Sequence, residues 1–237
     1  MTSGHERVVL LPGLGRTGRS LGRMAAALRA VGYATEIWRY AARRQSLTSL
    51  VAQFSAHLGA RTGGGDKLHF VGHSLGGLIV RGALAAAERG ANYEAFAPGR
   101  LVMLAPPNRG VGLIGRLGGG TMAELVFGRP VRDLGVGAAA LENLGAPGLE
   151  VGVIAGNRRF HALNPISYVQ ALVGSEESHD GTVEVSRTRF DGMTDFTVVA
   201  AHHTFICDHP QVIGKTVRFL RSGRFDDEPQ DVEKYVE

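Results

Sequence analysis

Between residues 68 and 77 the chain reads Leu68-His69-Phe70-Val71-Gly72-His73-Ser74-Leu75-Gly76-Gly77. The apolar run that opens this segment predicts a buried strand, and the periodicity of residues 75–88 predicts a helix directly after it. Ser74 therefore lies in a sharp strand-to-helix turn, flanked by Gly72 and Gly76 in the pattern G-x-S-x-G. Such a turn lifts the serine hydroxyl above the sheet edge as a candidate nucleophile. The alternative interpretation is a serine that only caps the helix in a glycine-rich turn.

The whole chain repeats this alternation of strand and helix, which is typical of a parallel sheet covered by helices on both faces. Predicted strands cover residues 7–11, 34–38, 68–71, 101–104, 151–154 and 196–200, and predicted helices cover residues 20–31, 47–58, 75–88 and 210–220. We therefore expect one α/β domain over residues 1–225. A glycine-rich insertion at residues 108–148, with helical patches at 122–127 and 138–144, is the predicted small cap. The acidic tail, residues 226–237, has too few apolar residues to pack and is predicted to be disordered.

The composition of the chain limits the cellular compartment and the kinds of binding partner that we expect. No apolar run approaches the roughly 20 residues that cross a bilayer, and residues 1–7 carry no signal-peptide pattern. The lone cysteine, Cys207, excludes an intramolecular disulfide, which fits a reducing compartment such as the cytoplasm. The tail carries a net charge of −5, which leaves +9 on the rest of the chain. Dispersed arginines are more typical of a solvated surface than of a nucleic-acid site, so we expect no nucleic-acid partner and leave peripheral membrane contact open.

A second glycine-rich loop, residues 12–18, follows the first predicted strand. A carbonyl under nucleophilic attack develops negative charge, which two backbone N–H groups commonly stabilise. We predict that Leu14, in this loop, and Leu75, directly after Ser74, provide those two groups as an oxyanion hole. Residues 13–18 also fit the dinucleotide pattern G-x-G-x-x-G. However, no acidic residue ends the predicted strand at 34–38, where a ribose partner would be expected.

A serine nucleophile needs a base within hydrogen-bonding reach, and the chain has nine histidines. Position excludes most of them: His57 falls in a predicted surface helix and His69 inside a strand. His73, beside the nucleophile in the turn, is more typical of a structural role. The loop after the last strand then offers His202 and His203, and spacing alone does not choose between them.

In folds whose nucleophile lies in a strand-to-helix turn of this kind, the acid that orients the base follows the nucleophile in the sequence and precedes the histidine. The candidates are Asp133, Asp180, Asp191, Asp195 and the glutamates between them. Asp180 has the best setting, because the Asp180-Gly181 pair bends the chain sharply after a long extension from the strand at 151–154. The alternative is an ordinary Asp-Gly turn without a catalytic role.

Together these motifs resemble the small bacterial lipase and esterase branch of the α/β-hydrolases over nearly everything before the tail. The segments that carry the resemblance are Pro12-Gly13-Leu14-Gly15, Gly72-His73-Ser74-Leu75-Gly76-Gly77, Asp180-Gly181-Thr182-Val183 and His203-Thr204-Phe205-Ile206. The resemblance implies the α/β-hydrolase fold, with a mostly parallel central sheet, and a triad of Ser74, Asp180 and His203. It therefore favours His203 over His202.

The same resemblance implies a backbone donor at Leu14, although Pro12 stands where the family commonly has histidine. That departure removes a polar side chain and bears on the substrate more than on catalysis. We can match no calcium site of the kind that some secreted lipases of this family carry, and we predict neither a metal nor a cofactor.

The predicted activity is hydrolysis of small-molecule or lipid carboxylic esters through an acyl-enzyme intermediate. We expect an apolar acyl pocket with Val111 and Phe205 among its walls, suited to short or medium acyl chains. The same residues also serve acyltransferases and thioesterases, and a non-catalytic lipid- or protein-binding module could keep the same fold. The sequence does not predict the oligomeric state.

Overall fold

Six parallel strands form the centre of the molecule. The structure is a computed structural model that describes residues 6–60, 66–89, 96–116, 124, 128–162, 165–173 and 176–226. The strands lie in the order β2-β1-β3-β4-β5-β6, and every neighbouring pair is parallel. Their bounds are β1 Glu6–Leu11, β2 Ala34–Ile37, β3 Lys67–His73, β4 Ala97–Leu104, β5 Val151–Gly156 and β6 Asp195–Val199. All six predicted strands are therefore present.

Helices connect the strands, and seven α-helices have both ends within the described residues. They are α1 Gly22–Ala30, α2 Leu47–Gly59, α3 Leu75–Arg89, α4 Gly112–Arg116, α5 Ala139–Glu142, α6 Pro165–Val173 and α7 Pro210–Ser222. The helix predicted at residues 20–31 begins later, because Gly18–Leu21 forms a separate 3-10 turn. Ser46 caps α2, since its hydroxyl accepts the Ser49 N–H at 3.2 Å.

Each face of the sheet has its own apolar core, and alternation along the strands supplies both. In β3, Phe70 points to the face covered by α2 and α3, whereas Val71 points to the face covered by α1 and α7. Buried Phe54 anchors the first core and buried Phe219 the second. The prediction of helices on both faces is thus confirmed.

Apolar side chains of the predicted cap region, residues 108–148, pack in the first core. These buried side chains are Val111, Leu113, Ile114, Val131, Leu134, Leu141 and Leu144. The helical patch predicted at 122–127 lies almost wholly outside the described residues, so a cap over the site stays a prediction. The predicted tail also lies outside them, apart from Asp226, which binds Lys215. Among the described helices, none is long and apolar enough to span a bilayer.

The order of the strands in the sheet reverses direction between β1 and β3. The chain leaves β1 first toward β2 on one side, and β3 then pairs with β1 on the other side. In open parallel sheets, ligands bind at such a reversal point, outside the carboxyl ends of the strands. The loop at residues 12–18 and the turn at Ser74 follow those two carboxyl ends.

Candidate active site

The turn at Ser74 has the strained backbone that its sequence predicts. Ser74 has φ +51°, in the left-handed region that non-glycine residues seldom adopt. Its N–H donates to the carbonyl of Leu104 at 2.8 Å, which ties the turn to the end of β4. Strain of this kind persists only where the surroundings over-determine it, and it concentrates at functional sites.

Close backbone packing explains the two glycines of the motif. A Cβ on Gly72 would overlap the Cα of Gly77 at the start of α3. A Cβ on Gly76 would lie 2.5 Å from the carbonyl oxygen of Leu11 and 2.6 Å from that of Pro12. Glycine at these positions therefore lets α3 approach both its own strand and the loop after β1.

Three side chains that lie far apart in the sequence meet above this turn. The Ser74 hydroxyl lies 3.1 Å from Nε2 of His203, and Nδ1 of His203 lies 2.7 Å from Oδ2 of Asp180. Oδ1 of Asp180 accepts the N–H groups of Thr182 at 3.0 Å and Val183 at 2.8 Å. These bonds hold the carboxylate on a side chain that is only 1% exposed. The arrangement has the order nucleophile, base and acid, and the roles themselves stay predictions.

His202, the other candidate base, does not point toward Ser74. Nδ1 of His202 lies 2.9 Å from the carbonyl oxygen of Arg158, and its ring packs edge-on against His161 at 4.8 Å between centroids. The N–H of His203 donates to the carbonyl of Asp180 at 3.0 Å, so the backbone also aligns His203 with the acid turn. The structure therefore brings His203, and not His202, to Ser74.

The loop after β1 lies directly against the serine. A Cβ built on Gly13 would lie 3.2 Å from the Cβ of Ser74. Among the residues that the structure describes, the N–H groups of Leu14 and Leu75 have no hydrogen-bond partner. Both are thus free to donate to a ligand, which is what an oxyanion hole requires. Their role in such a hole remains a prediction.

Tyr40 supports this loop, although no sequence motif pointed to it. Its hydroxyl donates to the carbonyl of Pro12 at 2.5 Å. Burial raises the pKa of Tyr40 far above its usual value, so the hydroxyl keeps its proton and remains a donor. Stacking on Trp38, with centroids 5.1 Å apart, orients the Tyr40 ring. The only feature of the sequence that could have indicated this role is that Tyr40 and Trp38 lie close together just after the second strand.

His73 holds the segment that carries the base. The ring is buried, and its Nε2–H donates to the carbonyl oxygen of His203 at 3.1 Å. Burial first, and then the neighbouring groups His203 and Arg16, lower the pKa of His73 well below its usual value. The ring is therefore neutral at pH 7, in keeping with the structural role expected for it.

Polar side chains support the acid turn. Nδ1 of His179 accepts the N–H of Gly181 at 3.0 Å, and burial lowers the pKa of His179. Glu184 has a side chain that is 1% exposed and lies 2.7 Å from Arg116 and 3.6 Å from Arg187. The ion pair with Arg116 joins the acid turn to α4. It was not predictable from the sequence, because no spacing rule relates residues 116 and 184.

The two predicted pocket walls differ in position. Phe205 lies two residues after His203 and is partly exposed, with its ring centroid 4.5 Å from that of His161. Val111 is buried in the first core, where its N–H donates to Leu134 at 2.8 Å. Their contact with an acyl chain stays a prediction. Within the described parts of the chain, no cluster of three or more His, Cys, Asp or Glu side chains could hold a metal ion.

No protein-family model matches the chain, and no curated protein sequence matches it. Solved structures do. The mature Bacillus licheniformis lipase BlEst2 superposes with a TM-score of 0.71 at 17% identity, over 92% of this chain and 93% of the lipase. The chain has the α/β-hydrolase fold.

Two other solved structures share this α/β-hydrolase fold. The metagenomic carboxyl esterase MGS0156 has a TM-score of 0.59 at 19% identity, over 86% of this chain and 65% of the esterase. YbtT, a type II thioesterase from the yersiniabactin biosynthetic pathway, has a TM-score of 0.53 at 17% identity, over 93% of this chain and 94% of the thioesterase. At these identities the likeness establishes the fold and leaves the activity to the site.

Proposed function

We propose that this α/β-hydrolase is a serine hydrolase that cleaves carboxylic esters through an acyl-enzyme intermediate. The observation that carries the proposal is the pair of hydrogen-bonding distances from Ser74 to His203 and from His203 to Asp180, at 3.1 and 2.7 Å. A protein that used this fold only for binding would have no need of that alignment beside a strained serine turn. The lipase and the carboxyl esterase among its structural neighbours support the same choice of reaction.

In the proposed reaction, Nε2 of His203 accepts the proton of the Ser74 hydroxyl as the serine oxygen attacks the acyl carbonyl. Asp180 stabilises the imidazolium that forms, and the N–H groups of Leu14 and Leu75 donate to the oxyanion. The tetrahedral intermediate collapses, and His203 returns the proton to the leaving alcohol. Water then attacks the acyl-enzyme by the same route, which releases the acid and restores Ser74.

A thioesterase is the second candidate. It rests on the neighbour YbtT, which this chain covers almost completely. The chemistry differs only in the leaving group, because a thiol leaves where an alcohol would. An acyltransferase would differ in the acceptor, with an alcohol in the place of water.

The test is hydrolysis of p-nitrophenyl esters of two to twelve carbons and of the matching N-acetylcysteamine thioesters. Wild type is compared with Ser74→Ala and with the control Ser222→Ala, since Ser222 lies at the end of α7. We expect turnover in wild type and control, and a fall of at least about 10⁴-fold in Ser74→Ala. Equal activity in Ser74→Ala would contradict the proposal. Products formed with added alcohol separate hydrolysis from acyl transfer.

A further inference from the structure

A cleft of about 390 Å³ opens beside the loop after β1. Its lining comprises Pro12, Arg16, Thr17, Gly18, Arg19, Arg39 and Tyr40. Three of these seven residues are arginines, and none is acidic. The cleft is therefore concave, large enough for a small anionic group and lined by positive charge alone.

Among the described residues, the three guanidinium groups have no counter-charge of their own. In the part of the chain that the structure describes, none of Arg16, Arg19 and Arg39 lies within 4 Å of a carboxylate. Other arginines of the same chain do form such pairs, for example Arg100 with Glu150 and Arg116 with Glu184. Three unpaired cations around one cleft raise its positive potential, which attracts anions.

Local packing positions two of these arginines. Arg39 lies over Gly18, because a Cβ built on Gly18 would be 3.3 Å from Nε of Arg39 and 3.8 Å from its Nη2. Nε of Arg16 is buried and has no hydrogen-bond partner among the described residues. The Arg16 guanidinium lies 5.9 Å from the ring centroid of Phe205. Arg16 thus extends between the cleft and the turn that carries His203.

The cleft and the candidate catalytic serine share one loop. Pro12 lines the cleft, and the next residue, Gly13, would place a Cβ only 3.2 Å from that of Ser74. Tyr40 lines the cleft as well and donates to the Pro12 carbonyl. A substrate whose acyl carbonyl lies at Ser74 can therefore place another part of the same molecule in the cleft.

We infer that this cleft binds a phosphate or phosphodiester group of the substrate, so that the preferred substrate is a phosphate-bearing acyl ester or thioester. The inference rests on the proposed function and adds a substrate class to it. Arginine suits this ligand, because its planar guanidinium donates two parallel N–H bonds to phosphate oxygens. The group can belong to a soluble nucleotide thioester or to a phospholipid, since both present the same oxygens.

A second arginine-lined cleft, of about 560 Å³, lacks these properties. Glu142 and Asp191 contribute carboxylates to its lining. Its buried Arg81 already donates to the carbonyl of Gly145 at 2.6 Å and to Oδ1 of Asn108 at 2.9 Å. Hydrogen bonds to the protein therefore hold Arg81, whereas no side-chain hydrogen bond or ion pair among the described residues holds the three arginines beside Pro12.

The experiment compares two pairs of substrates, each with one member that carries phosphate and one neutral member that does not. One pair is butyryl-coenzyme A against S-butyryl-N-acetylcysteamine, and the other is dibutyryl-phosphatidylcholine against tributyrin, all as soluble monomers. The measured quantity is the ratio of kcat/KM for the phosphate-bearing member to kcat/KM for the neutral one. We expect wild type to favour the phosphate-bearing member in at least one pair. The favoured pair then identifies the source of the phosphate.

Variants of the cleft arginines test whether the cleft causes that preference. Arg39→Glu and Arg19→Glu should each lower the ratio by about tenfold or more, which corresponds to one charge-assisted contact of about 1.4 kcal/mol. Arg39→Gln should lower it by less. The control is Arg224→Glu, which makes the same change of charge at an exposed residue beyond the end of α7, near the start of β6, and should leave the ratio unchanged. Melting temperatures show that each variant is folded.

The outcomes separate the inference from the proposed function. If the neutral substrates are cleaved and Arg39→Glu leaves the ratio at the wild-type value, the phosphate site is wrong and the hydrolase proposal stands. If no substrate is cleaved, the hydrolase proposal fails. Calorimetric titrations with free coenzyme A and with glycerophosphocholine then test the cleft alone. Binding of either compound that Arg39→Glu weakens supports the site, and the absence of binding of both to wild type overturns it.

Discussion

The turn that carries Ser74 and the turn that carries Asp180 are built in different ways. Backbone packing against glycine holds the first turn, as Gly76 against the Leu11 carbonyl illustrates. Side-chain charges and hydrogen bonds hold the second, with Glu184 bound to Arg116 and to the N–H of Gly112. The serine turn therefore depends on shape, whereas the acid turn depends on a buried ion pair.

The two turns also share one feature, which is a buried histidine directly before the candidate catalytic residue. His73 precedes Ser74 and donates to the His203 carbonyl, and His179 precedes Asp180 and accepts from Gly181. Burial lowers the pKa of both rings. Each turn is thus supported by a neutral imidazole, and acidification should affect both.

The largest expected effect is a loss of activity, without a loss of stability, in a variant of the acid turn. In Asp180→Asn, the side-chain oxygen can still accept the N–H groups of Thr182 and Val183. The amide nitrogen then faces Nδ1 of His203 and favours the wrong tautomer. We expect kcat to fall about 10⁴-fold, equivalent to about 5.5 kcal/mol, with an unchanged melting temperature.

The control for this variant is Asp191→Asn, because the Asp191 side chain is fully exposed. It should retain wild-type kcat. A retained kcat in Asp180→Asn, measured on any ester that wild type cleaves, would show that Asp180 only forms a structural turn.

The next effect concerns the shape of the serine turn. In Gly76→Ala, the added methyl group would lie 2.5 Å from the Leu11 carbonyl oxygen, which is backbone and cannot rotate away. We expect the free energy of unfolding to fall by about 3 kcal/mol in chemical denaturation.

Gly214→Ala is the matched control for this substitution. Gly214 lies inside α7, and an added Cβ would have nothing within 4 Å of it, so alanine there should stabilise the helix by about 0.5–1 kcal/mol. Equal stability of the two variants would contradict the close packing of the serine turn.

A smaller effect comes from the ion pair of the acid turn. Glu184→Gln keeps the size of the side chain but leaves Arg116 and Arg187 without their counter-charge. Loss of one partner of a buried pair costs about 3–5 kcal/mol, and we expect about 2 kcal/mol here because Arg116 is 31% exposed. Denaturant unfolding measures it, and kcat should fall as the acid turn loosens.

Asp66→Asn provides the surface comparison for this pair. The Arg7–Asp66 pair has side chains that are 33% and 39% exposed, so its loss should cost no more than about 0.5 kcal/mol. If Glu184→Gln lowers the free energy of unfolding by no more than Asp66→Asn does, the acid turn does not depend on the ion pair of Glu184.

The smallest effect is the pH dependence of stability that the two buried histidines share. Their pKa values in the folded protein lie below the ordinary value of about 6.5, so the unfolded chain binds protons more readily. Stability is therefore fully present above pH 6.5 and decreases as the pH falls below it. Between pH 7.5 and pH 6, each histidine should lower the free energy of unfolding by less than about 1 kcal/mol.

Melting temperatures at pH 7.5 and pH 6 measure this dependence. His73→Gln keeps a donor near the position of Nε2, and His179→Asn keeps an acceptor near that of Nδ1, so each variant should show a smaller decrease than wild type. A melting temperature that rises on acidification would contradict the neutral state of both rings.

The contrast between the turns also explains how much the sequence predicts. The serine turn is a local motif, and its two glycines, its strand and its helix are all readable between residues 68 and 88. The six strands were found for the same reason, because alternation and apolar runs are local. His202 and His203 were not separable by spacing, because the choice depends on the contact of His202 with Arg158 and of His203 with Asp180. Glu184 and Tyr40 act through partners that are distant in the sequence.

The central claim is that Ser74 is an activated nucleophile, and labelling with a fluorescent fluorophosphonate tests it most directly. The probe phosphonylates a serine only when a base has increased its reactivity, and peptide mapping then locates the label. We predict a single label on Ser74 in the wild-type protein, lost in Ser74→Ala and in His203→Ala while both variants remain folded. A folded wild-type protein that takes no label, or one labelled at another serine, would contradict the account.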